Sequence, residues 1–252
     1  MILQIDMGNT RLKWRVKNKL ASLVEGHCLW SDAEDALMAS LMPYGGLISR
    51  ILVASVRSQE DNQAFMQLLG RLTPLVPEFA YSQSHNDGLV NGYADPERLG
   101  VDRWLALLAG YDRHKAYPFM LMSAGTALTL DLVDGQGHHL GGYIAPGLDV
   151  FVRAVSHSAA QINVVKSNNL FDASPGRSTV DAVHHAFAAM LSGLVQKSYE
   201  LLSRNNGFAP VLLITGGDAD VVKGLFHQGI TCPDLVFSGL DIYFDLRAGN
   251  NG

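Results

Sequence analysis

Short apolar runs and longer segments with helical spacing alternate along the chain. Four apolar runs near the N-terminus predict strands, over residues 2–5, 12–16, 20–25 and 48–55. Helical spacing follows the third and the fourth run, over residues 31–41 and 58–72. Ser58 and Asp61 form a capping box at the start of the second helix. This order of hairpin, strand, helix, strand and helix is typical of an α/β domain.

The second half of the chain repeats this order after a polar loop over residues 82–96 and an amphipathic helix over 99–114. Apolar runs predict strands over residues 119–122, 128–133, 141–145 and 211–215. Helices are predicted over residues 148–158 and 179–203 and from the Gly216-Gly217 turn to residue 227, with a loop over 166–178. Tight turns at residues 6–10 and 123–126 occupy matching places, which predicts an internal duplication. We expect two halves, residues 1–115 and 116–252, that face each other across a cleft.

The first turn carries an unusual set of polar groups. Asp6, Thr10 and Lys13 supply a carboxylate, a hydroxyl and an ammonium group around Gly8, which lets an anion approach the backbone closely. Turn amides, Thr10 and Lys13 can hold phosphate oxygens, whereas Asp6 repels a bare phosphate and favours a hydrated Mg²⁺. The turn predicts a magnesium-nucleotide site of the hairpin kind, because a Walker loop needs Gly-Lys-Ser/Thr entering a helix. An ordinary hairpin turn is the alternative interpretation.

Three later segments are candidates for chemistry. The hairpin over residues 123–127 offers a hydroxyl and free amides for the outer phosphates, and Gly216-Gly217 at the end of a strand leaves room for a ring or a ribose. Asp102, near a helix start, can act as a general base, and Arg103 can hold a carboxylate or the transferring phosphoryl group. The alternatives are plain glycine turns, and an Asp favoured by the helix dipole beside a solvated Arg.

Composition narrows the class of protein. The chain has 252 residues, of which 48% are hydrophobic and 17% charged, so we expect a globular protein with a large core. A net charge of −5 without a basic tail argues against nucleic acid and acidic membranes as partners. Cys28 and Cys232 lack metal-ligand spacing, which predicts reduced thiols and a cytoplasmic location. No apolar run reaches the roughly 18 residues of a membrane span.

In their order along the chain, these segments resemble the type III pantothenate kinase family. The resemblance covers nearly the whole chain and rests on an ordered set of short motifs. They are Asp6-Met7-Gly8-Asn9-Thr10 with Lys13, Asn91-Gly92-Tyr93, Gly100-Val101-Asp102-Arg103, Gly125-Thr126-Ala127, Gly141-Gly142-Tyr143, Pro146-Gly147, Ser178-Thr179 and Thr215-Gly216-Gly217-Asp218.

The resemblance implies an α/β fold with two ribonuclease H-like halves, of the actin and sugar-kinase type, around a nucleotide cleft. It implies ATP-dependent phosphorylation of pantothenate to 4'-phosphopantothenate, the first step of coenzyme A biosynthesis. ATP and its phosphates would be bound by Asp6, Met7, Gly8, Asn9, Thr10, Arg11, Leu12, Lys13, Thr126, Gly216 and Gly217. Asp102 would be the general base, and pantothenate would be bound by Tyr93, Gly100, Val101, Asp102, Arg103, Thr179 and His157.

The same resemblance implies cofactors and an assembly. Mg²⁺ would be held through water by Asp6, and potassium or ammonium would stimulate the reaction. The family is usually dimeric, and the second subunit completes the pocket. One position departs from the family pattern, because Ser123 replaces the usual Asp that binds the monovalent cation. A neutral hydroxyl is a poorer ligand for a cation than a carboxylate, so we expect a weakened dependence on that cation.

Two other functions are compatible with the sequence. One is an actin-like-fold kinase for a different small hydroxy acid, which Tyr93, Arg103 and Thr179 argue against because they match the pantothenate pocket. The other is a nucleotide-binding regulator without turnover, since proteins of this family have also been called accessory transcription factors. An intact Asp102 argues against lost catalysis, and the acidic net charge argues against DNA binding.

Overall fold

The computed structural model describes residues 1–18, 21–158, 172–206 and 208–246. These described residues form two compact units: those within 1–87, 93–109 and from 235 onwards make the first, and those within 88–92 and 110–234 make the second. This division is less regular than contiguous halves over 1–115 and 116–252, since the C-terminal segment belongs with the first unit. Within the described residues, no helix combines the length and the apolar character that crossing a membrane requires.

The first unit is built on a five-stranded sheet. Its strands are β1 (Ile2–Met7), β2 (Arg11–Lys17), β3 (Ser22–Leu29), β4 (Arg50–Ser55) and β5 (Glu78–Phe79), in the order β3-β2-β1-β4-β5. The hairpin strands pair antiparallel, and β4 pairs parallel with β1. The helices are α1 (Ala33–Leu41) and α2 (Gln59–Leu69), and Ser58 caps α2 by accepting the Asp61 backbone N–H. The four strands and two helices predicted here are confirmed, whereas the two-residue β5 was too short to predict.

The segment between the sheets contains more structure than the predicted loop over residues 82–96. Two short strands, β6 (His85–Asn86) and β7 (Leu89–Val90), interrupt it, so the prediction of a plain loop was wrong there. The amphipathic helix α3 (Val101–Arg113) follows, within the predicted range of 99–114.

The second unit repeats the sheet of the first. Its strands are β8 (Phe119–Ala124), β9 (Ala127–Val133), β10 (His139–Pro146), β11 (Val211–Thr215) and β12 (Ile230–Thr231), in the order β10-β9-β8-β11-β12. The pairs on one side of β8 are antiparallel and those on the other side are parallel, as around β1. The predicted duplication is therefore confirmed at the level of topology.

Three helices accompany this second sheet. They are α4 (Leu148–Ser158), α5 (Thr179–Asn206) and α6 (Ala219–Leu225). α4 has the predicted bounds, and α5 continues beyond the predicted end at residue 203. The predicted loop over 166–178 lies outside the described residues up to position 171.

A further helix, α7 (Leu235–Tyr243), was not predicted from the sequence. It packs on β1 and β4 of the first unit. Its backbone comes so close to α3 that a Cβ on Gly239 would lie 2.1 Å from the Leu105 carbonyl oxygen. Arg15 and Lys17 of β2 bind the Asp241 carboxylate at 3.1 and 2.7 Å. The C-terminal helix is thus anchored to the N-terminal sheet by both apolar packing and ion pairs.

The two faces of β1 have different roles. Leu3, Ile5 and Met7 point into the apolar core that α1 and α2 cover. On the opposite face, Gln4 donates to the Asp241 carboxylate of α7 at 2.8 Å, and Asp6 lies two residues further towards the end of the strand. Because side chains alternate along a strand, a buried carboxylate at the end of β1 is placed away from the main core.

Candidate active site

The first hairpin is a tight connection between β1 and β2. Gly8 donates its N–H to the Arg11 carbonyl at 3.1 Å, so that Asn9 and Thr10 form the tip. A Cβ on Gly8 would lie 3.1 Å from that same oxygen, which explains a glycine at this position. Neither tip residue has a positive φ, so the turn is not of the type I′ kind that Asn-Gly hairpins adopt. The predicted hairpin is confirmed, with Met7 and Leu12 buried beneath it.

Asp6 places a buried carboxylate at the base of this hairpin. It lies directly opposite Lys13 in the β1–β2 register and is only 9% exposed. Burial raises the pKa of Asp6 from 3.8 to about 6; the Lys13 ammonium opposes this rise and the Asp102 carboxylate adds to it. The ionised form of Asp6 is therefore poorly stabilised by the protein alone, and a cation would stabilise it.

The start of α3 presents Asp102. The Gly100 carbonyl accepts the first helical hydrogen bond, from Trp104 N–H at 2.9 Å, and Asp102 Oδ1 accepts the Arg103 N–H at 2.8 Å. A Cβ on Gly100 would lie 2.7 Å from Asp102 Oδ1, so glycine leaves room for the carboxylate. Asp102 and the first hairpin belong to the same unit, and the Asp102 carboxylate contributes to the raised pKa of Asp6, after burial.

Arg103 is held against Tyr93. Its Nη1 donates to the Tyr93 hydroxyl at 2.9 Å, and its guanidinium carbon lies 5.5 Å from the centre of the Tyr93 ring. Arg103 is only 7% exposed, so the alternative of a solvated arginine is wrong. Two residues predicted to bind the acceptor are therefore in contact with each other, and a guanidinium oriented in this way can bind a carboxylate.

A cavity of about 520 Å³ opens beside these residues in the first unit. Gly100 and Val101 from the start of α3 form part of its wall. The rest of the wall comes from the end of β4, from the residues after β5 and from the segment before α3: Ser55, Val56, Arg57, Ala80, Tyr81, Ser82, Glu97, Arg98 and Leu99. The cavity thus lies beyond the carboxyl end of β4, where α/β sheets bind their ligands.

The second unit brings the other predicted phosphate-site residues together. Thr126 is exposed at the tip of the β8–β9 hairpin, where its carbonyl accepts the Gly147 N–H at 3.0 Å. Gly216 has a φ of +99°, and a Cβ there would lie 2.1 Å from the Ala124 carbonyl oxygen. The Gly216-Gly217 turn therefore packs directly on the end of β8, which only a glycine permits.

Ser123 occupies in β8 the place that Asp6 occupies in β1, the second residue from the end of the central strand. Its neighbours across the sheet are Thr129 on β9 and Thr215 on β11, so three hydroxyl residues lie in one row. Thr129 Oγ1 is buried without a hydrogen-bond partner among the described residues. Asp131, two residues beyond Thr129 on β9, binds His139 Nε2 at 2.9 Å in the fully buried interior.

The remaining two predicted acceptor residues belong to the second unit. Thr179 is the exposed first residue of α5, directly after Ser178, which accepts the Asp181 N–H at 3.1 Å. His157 is exposed in the last turn of α4. Tyr93, Gly100, Val101, Asp102 and Arg103 all lie in the first unit, so the predicted acceptor residues are divided between the units.

A hydrated Mg²⁺ fits the groups at the first hairpin. Asp6 provides one carboxylate whose pKa is raised mainly by burial, so that a bound cation would stabilise its ionised form. Among the described residues, no three His, Cys, Asp or Glu side chains are grouped as metal ligands. A magnesium ion at Asp6 would take its other ligands from water and phosphate oxygens, which is the usual preference of this ion.

Two side chains that support the first hairpin were not predicted. Trp30 donates its Nε1–H to the Gly8 carbonyl at 2.9 Å, and Arg57 donates from Nη1 to the Asn9 carbonyl at 3.0 Å. Neither residue belongs to a recognisable motif, because each contacts backbone atoms that are distant in the sequence. The pairing of β3 with β2 brings Trp30 to the hairpin, and the pairing of β4 with β1 brings Arg57 there.

The fold and these sites define a class of protein. Over 97% of this chain and 98% of the other, the structure is similar to that of a Campylobacter jejuni protein assigned to the Baf family of transcriptional activators, with a TM-score of 0.64 and 17% identity. It is also similar to a Listeria monocytogenes protein assigned as an N-acetylmannosamine kinase, with a TM-score of 0.57, 14% identity and coverage of 98% and 99%. The chain has the actin-like fold of the sugar kinases, as predicted.

Sequence comparison identifies the family within this class. The family model described as type III pantothenate kinase matches residues 2–200. A type III pantothenate kinase of Marinobacter nauticus is 39% identical over 241 residues, which cover 96% of this chain and 97% of that protein. The chain therefore belongs to the type III pantothenate kinase family, which confirms the resemblance found from its motifs.

Proposed function

We propose that this protein phosphorylates the primary hydroxyl of pantothenate with ATP, forming 4'-phosphopantothenate for coenzyme A biosynthesis. The observation that carries the proposal is that residues 2–200 match the type III pantothenate kinase family model. The candidate base Asp102 and the candidate phosphate hairpin belong to the same unit, and the Asp102 carboxylate adds to the rise in the pKa of Asp6 that burial mainly causes. Kinase catalysis needs this arrangement, since it depends on positioning and electrostatic stabilisation.

In the proposed reaction, Asp102 accepts the proton of the pantothenate hydroxyl as the hydroxyl oxygen bonds to the γ-phosphorus. The bond from that phosphorus to the bridging oxygen breaks, and ADP leaves with the electron pair. The main-chain N–H groups of the first hairpin and Lys13 bind phosphate oxygens in this proposal, and Thr126, Gly216 and Gly217 are the other proposed ATP-binding residues. Mg²⁺ bound through Asp6 would neutralise charge on the phosphates.

The proposed acceptor site is the region around the start of α3. Arg103, fixed by Tyr93 at 2.9 Å, supplies a cation for the pantothenate carboxylate. Gly100 and Val101 line a cavity of about 520 Å³, within the usual size range of small-molecule sites. Thr179 and His157 are the other two residues proposed to contact pantothenate.

The proposed assembly is a cytoplasmic homodimer in which the second subunit completes the pocket, without nucleic acid or membrane partners. Exposed apolar side chains along α5, among them Met190 at 54% exposure, support a self-association surface. Sedimentation at working concentration tests this part, and a fully active monomer would contradict it. The monovalent cation of the family would bind near Ser123, with weakened dependence.

The acceptor is tested by supplying Mg²⁺-ATP with pantothenate, N-acetylmannosamine or pantothenate methyl ester, and identifying phosphomonoesters by ³¹P NMR. Pantothenate alone should give a product rapidly, because the ester lacks the negative charge that Arg103 binds. Tyr93→Phe should raise the KM for pantothenate about tenfold, with little change in the KM for ATP. Preference for the sugar or the ester over pantothenate would contradict the proposed acceptor.

A further inference from the structure

The end of β4 and the first hairpin are joined by hydrogen bonds. β4 runs parallel to β1, and its first residue beyond the strand, Val56, donates its N–H to the Met7 carbonyl at 3.2 Å. The chain then passes Arg57 and enters α2 one residue after Ser58. This path places the Arg57 side chain at the tip of the hairpin, where its Nη1 binds the Asn9 carbonyl at 3.0 Å.

Arg57 is itself fixed by two further contacts. Its Nη2 lies 3.1 Å from Asp61 Oδ2 on the first turn of α2, and its guanidinium carbon lies 4.8 Å from the centre of the Trp30 ring. Trp30 packs edge-on against Phe65 of α2 with the ring centres 6.1 Å apart. The guanidinium is therefore held between an ion pair and an aromatic face, which reduces its freedom to leave the hairpin.

Trp30 binds the carbonyl that precedes the one bound by Arg57. Its Nε1–H donates to the Gly8 carbonyl at 2.9 Å, so that consecutive carbonyls of the hairpin, those of Gly8 and Asn9, each accept a side-chain donor. When a carbonyl is fixed, its peptide plane is fixed, and with it the direction of the next N–H. These are the N–H groups of Asn9 and Thr10, at the tip that would meet the phosphates.

We infer that Arg57 and Trp30 are positioning residues that orient the tip amides of the first hairpin for nucleotide phosphates. The inference rests on the proposed function as far as the nucleotide is concerned. Neither side chain needs to touch the nucleotide, because each acts through the peptide planes at residues 8–10. Arg57 also lines the cavity of the proposed acceptor site, and Trp30 is not among its lining residues.

The test uses Arg57→Lys and Trp30→Phe. Lysine keeps the charge but cannot bind Asn9 and Asp61 with a planar fork, and phenylalanine keeps an aromatic face but loses the N–H. Arg50→Lys is the matched control, because Arg50 also binds a carboxylate, that of Glu78 at 2.8 Å, and lies 5.7 Å from the centre of an aromatic ring, that of Phe244. All three variants are compared with the parent.

Amide hydrogen exchange without nucleotide reads the hairpin directly. Peptides that cover residues 7–14 should exchange about tenfold faster in Arg57→Lys and in Trp30→Phe, while peptides of β4 exchange as in the parent. The KM for Mg²⁺-ATP should rise about tenfold in both variants, and the KM for pantothenate should rise only in Arg57→Lys. Arg50→Lys should change none of these values.

Parent-like hairpin exchange and parent-like Mg²⁺-ATP affinity in Trp30→Phe would overturn the inference. If Arg57→Lys unfolds, Trp30→Phe decides alone, since it retains the ring that packs on Phe65. A parent without turnover on pantothenate would contradict the proposed function and leave the exchange comparison to decide the role of the two side chains. Failure of the proposed function and failure of the inference about Arg57 and Trp30 therefore give different results.

Discussion

The carboxylates of Asp6 and Asp102 interact, although one ends a strand of the N-terminal hairpin and the other begins α3. Their mutual repulsion adds to burial in raising the pKa of Asp6 to about 6. Burial and a second carboxylate destabilise the ionised form of Asp6, the Lys13 ammonium offsets this only in part, and groups with such perturbed pKa values cluster at functional sites. The two carboxylates therefore lower the stability of the metal-free protein, and both are residues of the proposed kinase site.

Replacing Asp6 by Asn should stabilise the magnesium-free protein at neutral pH. Below about pH 4 both folded and unfolded chains keep the Asp6 proton, and the two proteins should be equally stable. Between about pH 4 and 6, Asp6 ionises in the unfolded chain but stays protonated in the folded one, so the free energy of unfolding of the parent falls. Above pH 6 the parent should be less stable than Asp6→Asn by about 3 kcal/mol. Urea unfolding at several pH values checks this, and a pH-independent difference would contradict it.

Asp102→Asn should reduce kcat about 100- to 10,000-fold, because general base catalysis typically contributes that much. The affinity for Mg²⁺-ATP should stay within about twofold of the parent, since the proposed role of Asp102 is at the acceptor hydroxyl and not at ATP. Initial rates and a nucleotide titration measure both quantities. Turnover near that of the parent would remove Asp102 from the mechanism.

Ser123 should make this enzyme respond weakly to potassium. The row of Ser123, Thr129 and Thr215 offers neutral oxygens, and losing a full negative charge beside a cation matters more than losing one neutral ligand. Rates in sodium and potassium at equal ionic strength, for the parent and for Ser123→Asp, measure the response. A strong potassium requirement in the parent that Ser123→Asp leaves unchanged would show that this position is irrelevant to the cation.

The anchor of α7 should be a large contributor to stability. Asp241→Ala leaves Arg15, whose side chain is 9% exposed, without its carboxylate, and breaking a buried pair typically costs about 3 kcal/mol or more. Glu34→Ala is the control, because it removes an exposed pair with Arg71 and should cost less than about 1 kcal/mol. Equal losses in the two variants, measured by urea unfolding, would contradict the role given to Asp241.

The sequence predicted the repeated part of the fold well, because β1 and β8 carry strong apolar signals and each enters a glycine-containing turn. The helix α7 was not predicted, because its apolar residues give little amphipathic contrast. The strand pairing that brings Arg57 to Asn9 was not predicted either. Asp102 and Asp6 were each recognised as candidates from local motifs. Their mutual repulsion and the burial of Arg103 against Tyr93 depend on tertiary packing, which no local pattern encodes.

The central claim is the transfer of phosphate from ATP to pantothenate, and the most direct measurement is ADP release in a coupled assay with and without pantothenate. Slow ADP release without pantothenate and a large, saturable increase with it are predicted for the parent, and no such increase for Asp102→Asn. ADP release that is the same with and without pantothenate in the parent would contradict the account.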